Sequence, residues 1–574
     1  MLLLLVLCPA LVAAAPPTVT NPACPVEAVF FDPGNGEDIV VLNGYKVSVF
    51  AKGLNFPTAV AFKGNKNKFE VYVLESGHGL PSRCNDETLP VFGGVFSASN
   101  PMTPDILVFD QAGNKIGGPL AKPTGTPAGV QTEGLQAHGP AIDIAFENGF
   151  HGGRLFATDS NQAIRAVGVQ NNSSRIVTVD PVTGQVTPFI TGLPTGDHPA
   201  EQIAFKGNWI YWSQGSTTNS GVVGNDNGGG ANQQDIPCQD IVLSNNVFPS
   251  SPTVATSGYS PHGVQRPLAS IPAFDSATGP GICDGAILRA RLDAKDPKAT
   301  IEPFSWGYRN PYGIRFAPNN HPLKGGLFVT ENGEDERGAR PTNNSPDRLQ
   351  LAQQNADGSP DYHGWPDRFG GLDSTNAVFN PVGGPGDDLC SGTDGNLSFP
   401  ACIPNVLSKD VPVKTVLAFP PQPITDPLAL EPADVAAAGL DFVPDSFVSG
   451  QVKRGAALIA REGDFGFSKA NGDPEAGHDV ELVNFSGPGQ RLELSLTRFA
   501  YNMGFEQAFP DGLKGINRPV DLKFGPDDCA YLVDYGAVRD FGQSDPASRF
   551  IDPLDAPLVQ IPATGVIWKF CRSR

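Results

Sequence analysis

Apolar residues recur along this chain in short alternating runs that are separated by turns rich in Gly and Pro. In each of six copies, a turn leads into an apolar run ending near a phenylalanine, and a loop leads into a second run of aromatic and β-branched residues. The copies span Phe56–Ser76, Gly139–Ser160, His198–Ser216, Asn310–Gly333, Ala436–Gly463 and Arg518–Gly536. Such alternation is typical of strands, and recurring strand pairs are typical of propeller blades. The pattern predicts an all-β fold, a six-bladed β-propeller.

The copies are mostly spaced more widely than the roughly 40 to 50 residues of a plain blade, which predicts long loop insertions. Two stretches, near 217–281 and 367–427, are dense in Gly, Asn, Ser and Pro and lack strand or helix periodicity. We expect them to leave a propeller covering 53–574, which follows an N-terminal extension over 16–52. With 66 Gly and 55 Pro, the chain fits helical bundles and doubly wound sheets poorly. Several separate small β domains remain an alternative.

The chain begins with an apolar run that is too short to cross a bilayer and ends in alanines before two prolines. This pattern predicts a signal peptide over 1–15 and a secreted, extracellular protein. A formal net charge of −20 and a pI near 4.8 argue against nucleic acid or an anionic membrane as partner. Phosphate binding needs clustered Lys and Arg.

Eight of the nine cysteines lie beyond the signal segment, and an even number in an exported chain favours disulfides over metal-binding thiolates. Proximity in the sequence suggests the pairs Cys238 with Cys283, Cys390 with Cys402, Cys529 with Cys571, and then Cys24 with Cys84. Other pairings remain open. Sequons predict a glycoprotein, at Asn171, Asn172, Asn343, Asn396 and Asn484.

Polar residues precede the first strand of four of the six copies. Because innermost strands line the channel of a propeller, equivalent positions in successive blades converge near one mouth of the axis. The residues at this point are His138, Asp197 with His198, Arg309 with Asn310, and Arg518. Each type is common in turns and in structural ion pairs. Their convergence in an acidic chain favours a site for an anionic ligand.

At these residues the chain resembles the soluble quinoprotein glucose and sorbosone dehydrogenases. The matching stretches are Gly196–Ser216, Gly307–Asp367 with its RNPxG and downstream GWP, and Asn517–Gly536. The resemblance implies a six-bladed propeller that uses pyrroloquinoline quinone (PQQ) and calcium. It further implies oxidation of a pyranose or related aldose, with electrons passed to an external acceptor. The particular sugar, the acceptor and the oligomeric state stay open.

Within this resemblance, His198 corresponds to the catalytic base and Asp197 to the carboxylate that holds it. Oxidising a sugar hemiacetal removes a proton from oxygen, which a neutral imidazole can accept, and a hydride from carbon. Arg309 would stabilise the negative charge that develops on the quinone oxygen. The other implied cofactor contacts are Arg309, Asn310, Lys453, Arg518 and His138. The implied calcium ligands are Gly333 and Glu334.

The chain also departs from the pattern of that family. Asp434 stands where sorbosone-type members often carry a His, the run after Leu458 is IAREGDFGF, and Val520 replaces a family arginine. These changes touch the implied cofactor pocket. They keep open a noncatalytic extracellular propeller that binds a protein or glycan. A calcium-dependent lactonase is a third alternative, although its metal would need carboxylates and Asn at the blade starts, where this chain has mostly Arg and His.

Overall fold

The structure is a computed structural model in which the described residues form six large, mainly antiparallel sheets and several short strand pairs. It describes residues 18–21, 24–77, 103–125, 131–137, 139–161, 173–224, 234–250, 253–274, 279–335, 339–340, 342, 345–369, 372–373, 413–421, 426–433, 435–463, 476–487, 492–503, 515–540 and 558–573. Within these residues the helical turns are two 3-10 segments, Gly149–His151 and Lys298–Thr300, and no α-helix is present. The all-β prediction is confirmed.

Each sheet is a blade of four main strands, ordered from the innermost strand outward. Blade 1 is Pro57–Asn65, Lys68–Glu75, Asp105–Asp110 and Lys115–Leu120, blade 2 is Ala141–Phe146, Leu155–Asp159, Ser174–Val179 and Val186–Leu193, and blade 3 is Ala200–Lys206, Trp209–Gln214, Ala286–Arg291 and Glu302–Trp306. Blade 4 is Asn310–Phe316, Leu327–Asn332, Pro346–Ala352 and Ala429–Ala433, blade 5 is Ala437–Phe442, Ala457–Arg461, Asp479–Ser486 and Glu493–Asn502, and blade 6 is Pro519–Phe524, Ala530–Asp534, Gly565–Arg572 and Tyr45–Leu54.

Shorter strands surround the blades. Asp361–Tyr362 extends blade 3 in parallel, and Ile39–Val41 extends blade 5. The remaining short pairs are Thr18–Asn21 with Cys24–Phe30, Thr124–Gly125 with Gln131–Glu133, Ile241–Val242 with Ser270–Ile271, Phe248–Pro249 with Ala255–Thr256, Arg368–Phe369 with Leu372–Asp373, and Val538–Asp540 with Leu558–Gln560.

The six innermost strands pack side by side in a closed ring, from blade 1 through blade 6 and back to blade 1. The ring is the six-bladed propeller expected from the sequence, and all six predicted strand pairs form the inner half of a blade. Blade 6 combines strands from opposite ends of the chain, because Tyr45–Leu54 pairs with Gly565–Arg572. This pairing closes the propeller, since the outermost strand of the last blade comes from the part of the chain that precedes blade 1.

Every innermost strand is irregular near its start. The register against the second strand shifts after Pro57, Ala141, Ala200, Asn310, Ala437 and Pro519. A bulge at such a point re-aims the side chains next to it. Because all six bulges lie at the same end of the ring, they direct polar residues of the inner strands toward the channel near one mouth.

Two long segments leave the blades, between the second and third strands of blade 3 and between the third and fourth strands of blade 4. The buried guanidinium of Arg340 binds parts of both. It pairs with Asp367 and donates to the backbone oxygens of Ser220, Pro366 and Lys414. Trp365 is buried as well and donates to Asn219 O at 3.2 Å, so it packs the fold.

Two predicted disulfides are confirmed. Cys238–Cys283 lies in the blade 3 insertion, and Cys529–Cys571 joins the turn before the second strand of blade 6 to the third strand. The predicted pairs of Cys24 with Cys84 and of Cys390 with Cys402 involve Cys84, Cys390 and Cys402, which lie outside the described residues, as does the predicted signal peptide. Among the helices that the structure describes, none has the length and apolar character needed to cross a membrane.

Candidate functional site

Backbone hydrogen bonds join the turns before the innermost strands of blades 3 and 4. The amide of His198 donates to Ser216 O at 3.1 Å, and the amide of Ser216 donates to Arg309 O at 2.8 Å. Gly215 is required beside them, because a Cβ at this residue would lie 2.1 Å from the Cβ of His198. The structure therefore brings His198 and Arg309 together at one mouth of the channel.

Asp197 lies between these two side chains. Its Oδ2 is 3.9 Å from Nδ1 of His198 and 3.8 Å from Nη2 of Arg309. Both distances exceed hydrogen-bond length, so these contacts of Asp197 are electrostatic. The side chain of His198 is 14% exposed, against 5% for Arg309 and 3% for Asp197. His198 is thus the member of this trio that a ligand can reach most readily.

The guanidinium of Arg309 is held mainly by the turn that follows the second strand of blade 4. Nη1 donates to Gly333 O at 2.6 Å, and Nη2 pairs with Asp335. The backbone amide of Arg309 donates to Glu331 at 2.8 Å. Its Nε is buried and has no hydrogen-bond partner within the described parts of the chain. One N–H of this guanidinium is therefore unused by the protein around it.

A buried ion network supports that turn. Arg348 donates from Nη1 to Glu331 and from Nη2 to Glu334, both at 2.9 Å. All three side chains are at most 2% exposed. Because Glu331 and Glu334 flank Gly333, the network fixes the carbonyl on which Arg309 rests.

Asn310 belongs to a hydrogen-bonded chain that crosses three blades. Nδ2 of Asn332 donates to Ala437 O at 2.8 Å, and Nδ2 of Asn310 donates to Oδ1 of Asn332 at 2.9 Å. Oδ1 of Asn310 then lies 2.8 Å from both carboxyl oxygens of Glu201. Burial raises the pKa of Glu201 well above its ordinary value, and Arg309 opposes this shift.

Arg518 lies in the turn before the innermost strand of blade 6. Its amide donates to Asp534 at 2.7 Å, and Nη1 donates to Gly463 O at 2.8 Å. The carboxyl group of Glu462 faces this guanidinium. Burial raises the pKa of Glu462, and Arg518 opposes the shift. Arg518 and Glu462 together form the side of the mouth contributed by blades 5 and 6.

Two further polar residues lie on that side. Nδ1 of His478 is 2.7 Å from Asn517 O, and burial followed by the charge of Arg518 lowers the pKa of His478 to about 3. The imidazole is therefore neutral near pH 7. Nε2 of His478 and both amide atoms of Asn517 are buried without a hydrogen-bond partner in the described portions of the chain.

An ion cluster fills the channel below the mouth. Nζ of Lys523 is 2.5 Å from Asp143 and 3.4 Å from Asp521. Gln202 donates to Asp521 at 2.8 Å, and a Cβ on Gly439 would lie 2.2 Å from the same carboxylate. Side chains of three blades and the backbone of a fourth thus form a packed floor, and the mouth is a cup above it.

The other predicted site residues are not gathered in this cup. Lys453 is exposed in the loop between the first two strands of blade 5, at the opposite end of the ring, where Nζ donates to Gly450 O at 3.2 Å. His138 lies outside the described residues. Gly333 and Glu334 lie beside Arg309, with Glu334 engaged by Arg348.

Sequence reasoning missed Glu201, Glu462, His478 and Asn517. The bulge after Ala200 re-aims Glu201, and no alternation of apolar residues reveals a bulge. Glu462 directly follows the buried strand Ala457–Arg461, and an acidic residue at the end of a buried strand was the one signal in the sequence that could have indicated it.

No protein-family model matches the sequence, and no curated protein matches it. Several solved structures are similar at low identity. The calcium structure of a Trichoderma reesei carbohydrate-active enzyme of family AA12 is 14% identical, covers 93% of this chain and 97% of that chain, and gives a TM-score of 0.48. The soluble aldose sugar dehydrogenase of Escherichia coli in the apo-form is 14% identical, with coverage of 92% and 100% and a TM-score of 0.44. The PQQ-bound aldose sugar dehydrogenase of Streptomyces coelicolor is 15% identical, with the same coverage and a TM-score of 0.42. At these identities and TM-scores the likeness concerns the fold and assigns no activity.

The residues of the mouth differ in how well they fit the two implied cofactors. Buried donors without partners, Nε of Arg309 and Nδ2 of Asn517, suit the oxygens of an anionic quinone. Calcium at Gly333 and Glu334 fits poorly, because the carbonyl of Gly333 already accepts from a cationic guanidinium at 2.6 Å.

Proposed function

We propose that the mouth is the active site of a sugar oxidoreductase of the quinoprotein type, acting on a pyranose or related aldose with PQQ as cofactor. The observation that carries the proposal is the placement of His198 and Arg309 side by side, with Asp197 between them. An accessible imidazole beside a buried cation and a buried carboxylate is an arrangement suited to removing a proton from a hydroxyl group.

His198 would accept the proton of the sugar hydroxyl. Asp197 would favour the imidazolium that forms, since its carboxylate lies 3.9 Å from Nδ1. The Asp197 carboxylate also lies 3.8 Å from the guanidinium of Arg309, so the proton would move next to a pair of charges that the fold already holds in place. Such preorganised charge lowers the cost of separating charge during the reaction.

Arg309, Asn310 and Arg518 would hold the cofactor, and PQQ when bound would supply a two-electron acceptor for the hydride of the sugar. Nε of Arg309 is the donor that the surrounding protein leaves unused. Calcium has no place in this proposal, because the Gly333 carbonyl is engaged by Arg309.

The packed floor contributes by closing the channel. Lys523, Asp143 and Asp521 are buried and bonded across the axis beneath the cup. A sugar and its cofactor would therefore enter and leave by the mouth that carries His198.

The test combines binding of PQQ with turnover. PQQ is titrated into purified protein and followed by its absorption, and dye reduction is then measured with a panel of aldoses. We expect His198→Ala to retain PQQ affinity and to lose turnover by about 10²- to 10⁴-fold, the usual contribution of a general base. His151→Ala is the matched control, because His151 is an exposed histidine at the opposite end of blade 2. Absence of PQQ binding to the unaltered protein, or full turnover in His198→Ala, would overturn the proposal.

A further inference from the structure

In the chain of hydrogen bonds through Asn310, the last acceptor determines which atom donates at every earlier step. The backbone carbonyl of Ala437 can only accept, so the group 2.8 Å away on Asn332 is its amide nitrogen. Oδ1 of Asn332 therefore faces Asn310 and accepts from its Nδ2 at 2.9 Å. Oδ1 of Asn310 must then face Glu201, at 2.8 Å from both carboxyl oxygens.

An ionised carboxylate cannot complete this chain, because it offers only acceptors to an amide oxygen that is also an acceptor. Rotating the Asn310 amide by half a turn would satisfy Glu201 but would place two oxygens 2.9 Å apart, on Asn310 and Asn332. Rotating Asn332 as well would move the conflict to the carbonyl of Ala437. A proton on one oxygen of Glu201 gives Oδ1 of Asn310 a donor without any rotation.

We propose that Glu201 is held as a neutral carboxylic acid that donates to Oδ1 of Asn310, and that it acts as a positioning residue for this amide. The bulge in blade 3 aims Glu201 at Asn310 for this purpose. With Glu201 protonated, the Asn310 amide has one fixed orientation. When the proton leaves, the amide must turn over and the chain to blade 5 breaks.

The charged groups around Glu201 are compatible with a neutral acid. Arg309 of blade 4 faces it and would favour ionisation, but this guanidinium is paired with Asp335 and lies 3.8 Å from Asp197. Glu462 of blade 5 faces it as well, and two neighbouring carboxyl groups disfavour a state in which both are ionised.

The remaining titratable groups lie along the channel. Tyr312 of blade 4 is close to both glutamates, and its phenol is neutral since burial raises its pKa well above the ordinary value. The ammonium of Lys523 lies lower, where it is shared between Asp143 and Asp521. No unshared positive charge from these groups therefore faces Glu201.

The consequence for ligand binding rests on the proposed function, in which Asn310 contacts the cofactor. If so, PQQ affinity should fall as pH rises through the ionisation of Glu201, by about tenfold per pH unit above it. Glu201→Gln keeps a donor toward Asn310 that does not ionise. This variant should bind PQQ like the unaltered protein at low pH and should lose this component of the pH dependence.

The decisive measurement is the infrared difference spectrum between the unaltered full-length protein and Glu201→Gln at pH 7. We expect a carbonyl band of a protonated carboxyl group, sensitive to deuterium, that disappears in Glu201→Gln. Glu493→Gln is the matched control at an exposed glutamate and should leave the band in place. Should Glu201→Gln not fold, Asn310→Ala serves instead, since loss of the acceptor should move the band to higher frequency.

The outcomes separate the two proposals. A difference spectrum that shows no band of a protonated carboxyl group overturns the assignment of the proton. A band that responds as expected supports it, and if PQQ then fails to bind, only the proposed cofactor falls. Identical pH profiles of PQQ affinity for the two proteins would contradict the positioning role of Glu201.

Discussion

The floor of the cup gives the sharpest test of how the blades are held together. Replacing Lys523 by Met removes the ammonium and keeps most of the side-chain volume. Lys523 is 7% exposed, and its partners Asp143 and Asp521 are 1% and 0% exposed. The substitution therefore leaves two buried carboxylates without their shared cation.

The expected loss is about 3 kcal/mol of unfolding free energy at pH 7. Removing one partner of a buried ion pair costs about 3–5 kcal/mol, because an uncompensated charge remains. We take the lower end, since each carboxylate keeps a hydrogen bond, Asp143 from the amide of Ile203 at 2.9 Å and Asp521 from Gln202 at 2.8 Å.

The loss should depend on pH in a defined direction. Burial already raises the pKa of Asp143, and Lys523 opposes that shift. Without the ammonium the folded-state pKa rises further above the unfolded value, so the native state binds more protons than the unfolded chain between the two values. Stability of Lys523→Met then falls as pH rises through this window, and the deficit should be small near pH 4.

The assay is urea unfolding followed by tryptophan fluorescence, at pH 4 to 8, with midpoints compared at a common slope. Lys66→Met is the control, because Lys66 makes an exposed pair with Asp528 at 3.0 Å and should lose less than about 1 kcal/mol. Adding Asp143→Asn to Lys523→Met should recover part of the loss. A Lys523→Met protein as stable as Lys66→Met, or one whose deficit does not change with pH, would refute this account of the floor.

Two other substitutions test the closure and the mouth. Replacing both Cys529 and Cys571 by Ala opens a loop with a sequence separation of 42 residues. The chain entropy of that loop predicts a loss of about 4 kcal/mol of unfolding free energy, measured as a lower urea midpoint than that of the unaltered protein. An unchanged midpoint would contradict this prediction. Arg348→Met leaves Glu331 and Glu334 buried without their cation, so we expect about 3–5 kcal/mol of destabilisation, read from the urea midpoint, and weaker PQQ binding through the displaced Gly333 turn. Arg291→Met is the control, because Arg291 is partly exposed and pairs with Asp293 at the surface. Retention of both stability and affinity would contradict the proposed support of Arg309.

The inner half of every blade could be predicted because its strands are largely buried. They therefore appear in the sequence as dense apolar runs between turns, as in Ala141–Phe146 and Leu155–Asp159. The outer strands gave a weaker signal, since an edge strand such as Lys115–Leu120 is largely exposed and carries Gly and Pro. The pairing of Tyr45–Leu54 with Gly565–Arg572 joins opposite ends of the chain, and no local pattern encodes such a contact.

The site was predictable where it depends on position along a strand. His198, Arg309 and Arg518 precede innermost strands, and ring geometry alone brings such positions to one mouth. Glu201 was not predictable, because its direction depends on a bulge. Likewise, the acceptors of Arg309 come from a turn more than twenty residues away, and the distance of Lys453 from the mouth depends on strand direction in blade 5.

The structure changes what the converging arginines mean. In the sequence they appear as excess positive charge, but around the cup Arg309 and Arg518 meet several carboxyl groups, among them those of Asp197, Glu201, Asp335 and Glu462. With all of these ionised, the mouth is negative and repels an anionic cofactor. With Glu201 and Glu462 neutral, as burial favours for both, this repulsion falls and the unused donors can decide binding. The affinity of this mouth for an anion is therefore governed by the two glutamates more than by the number of arginines.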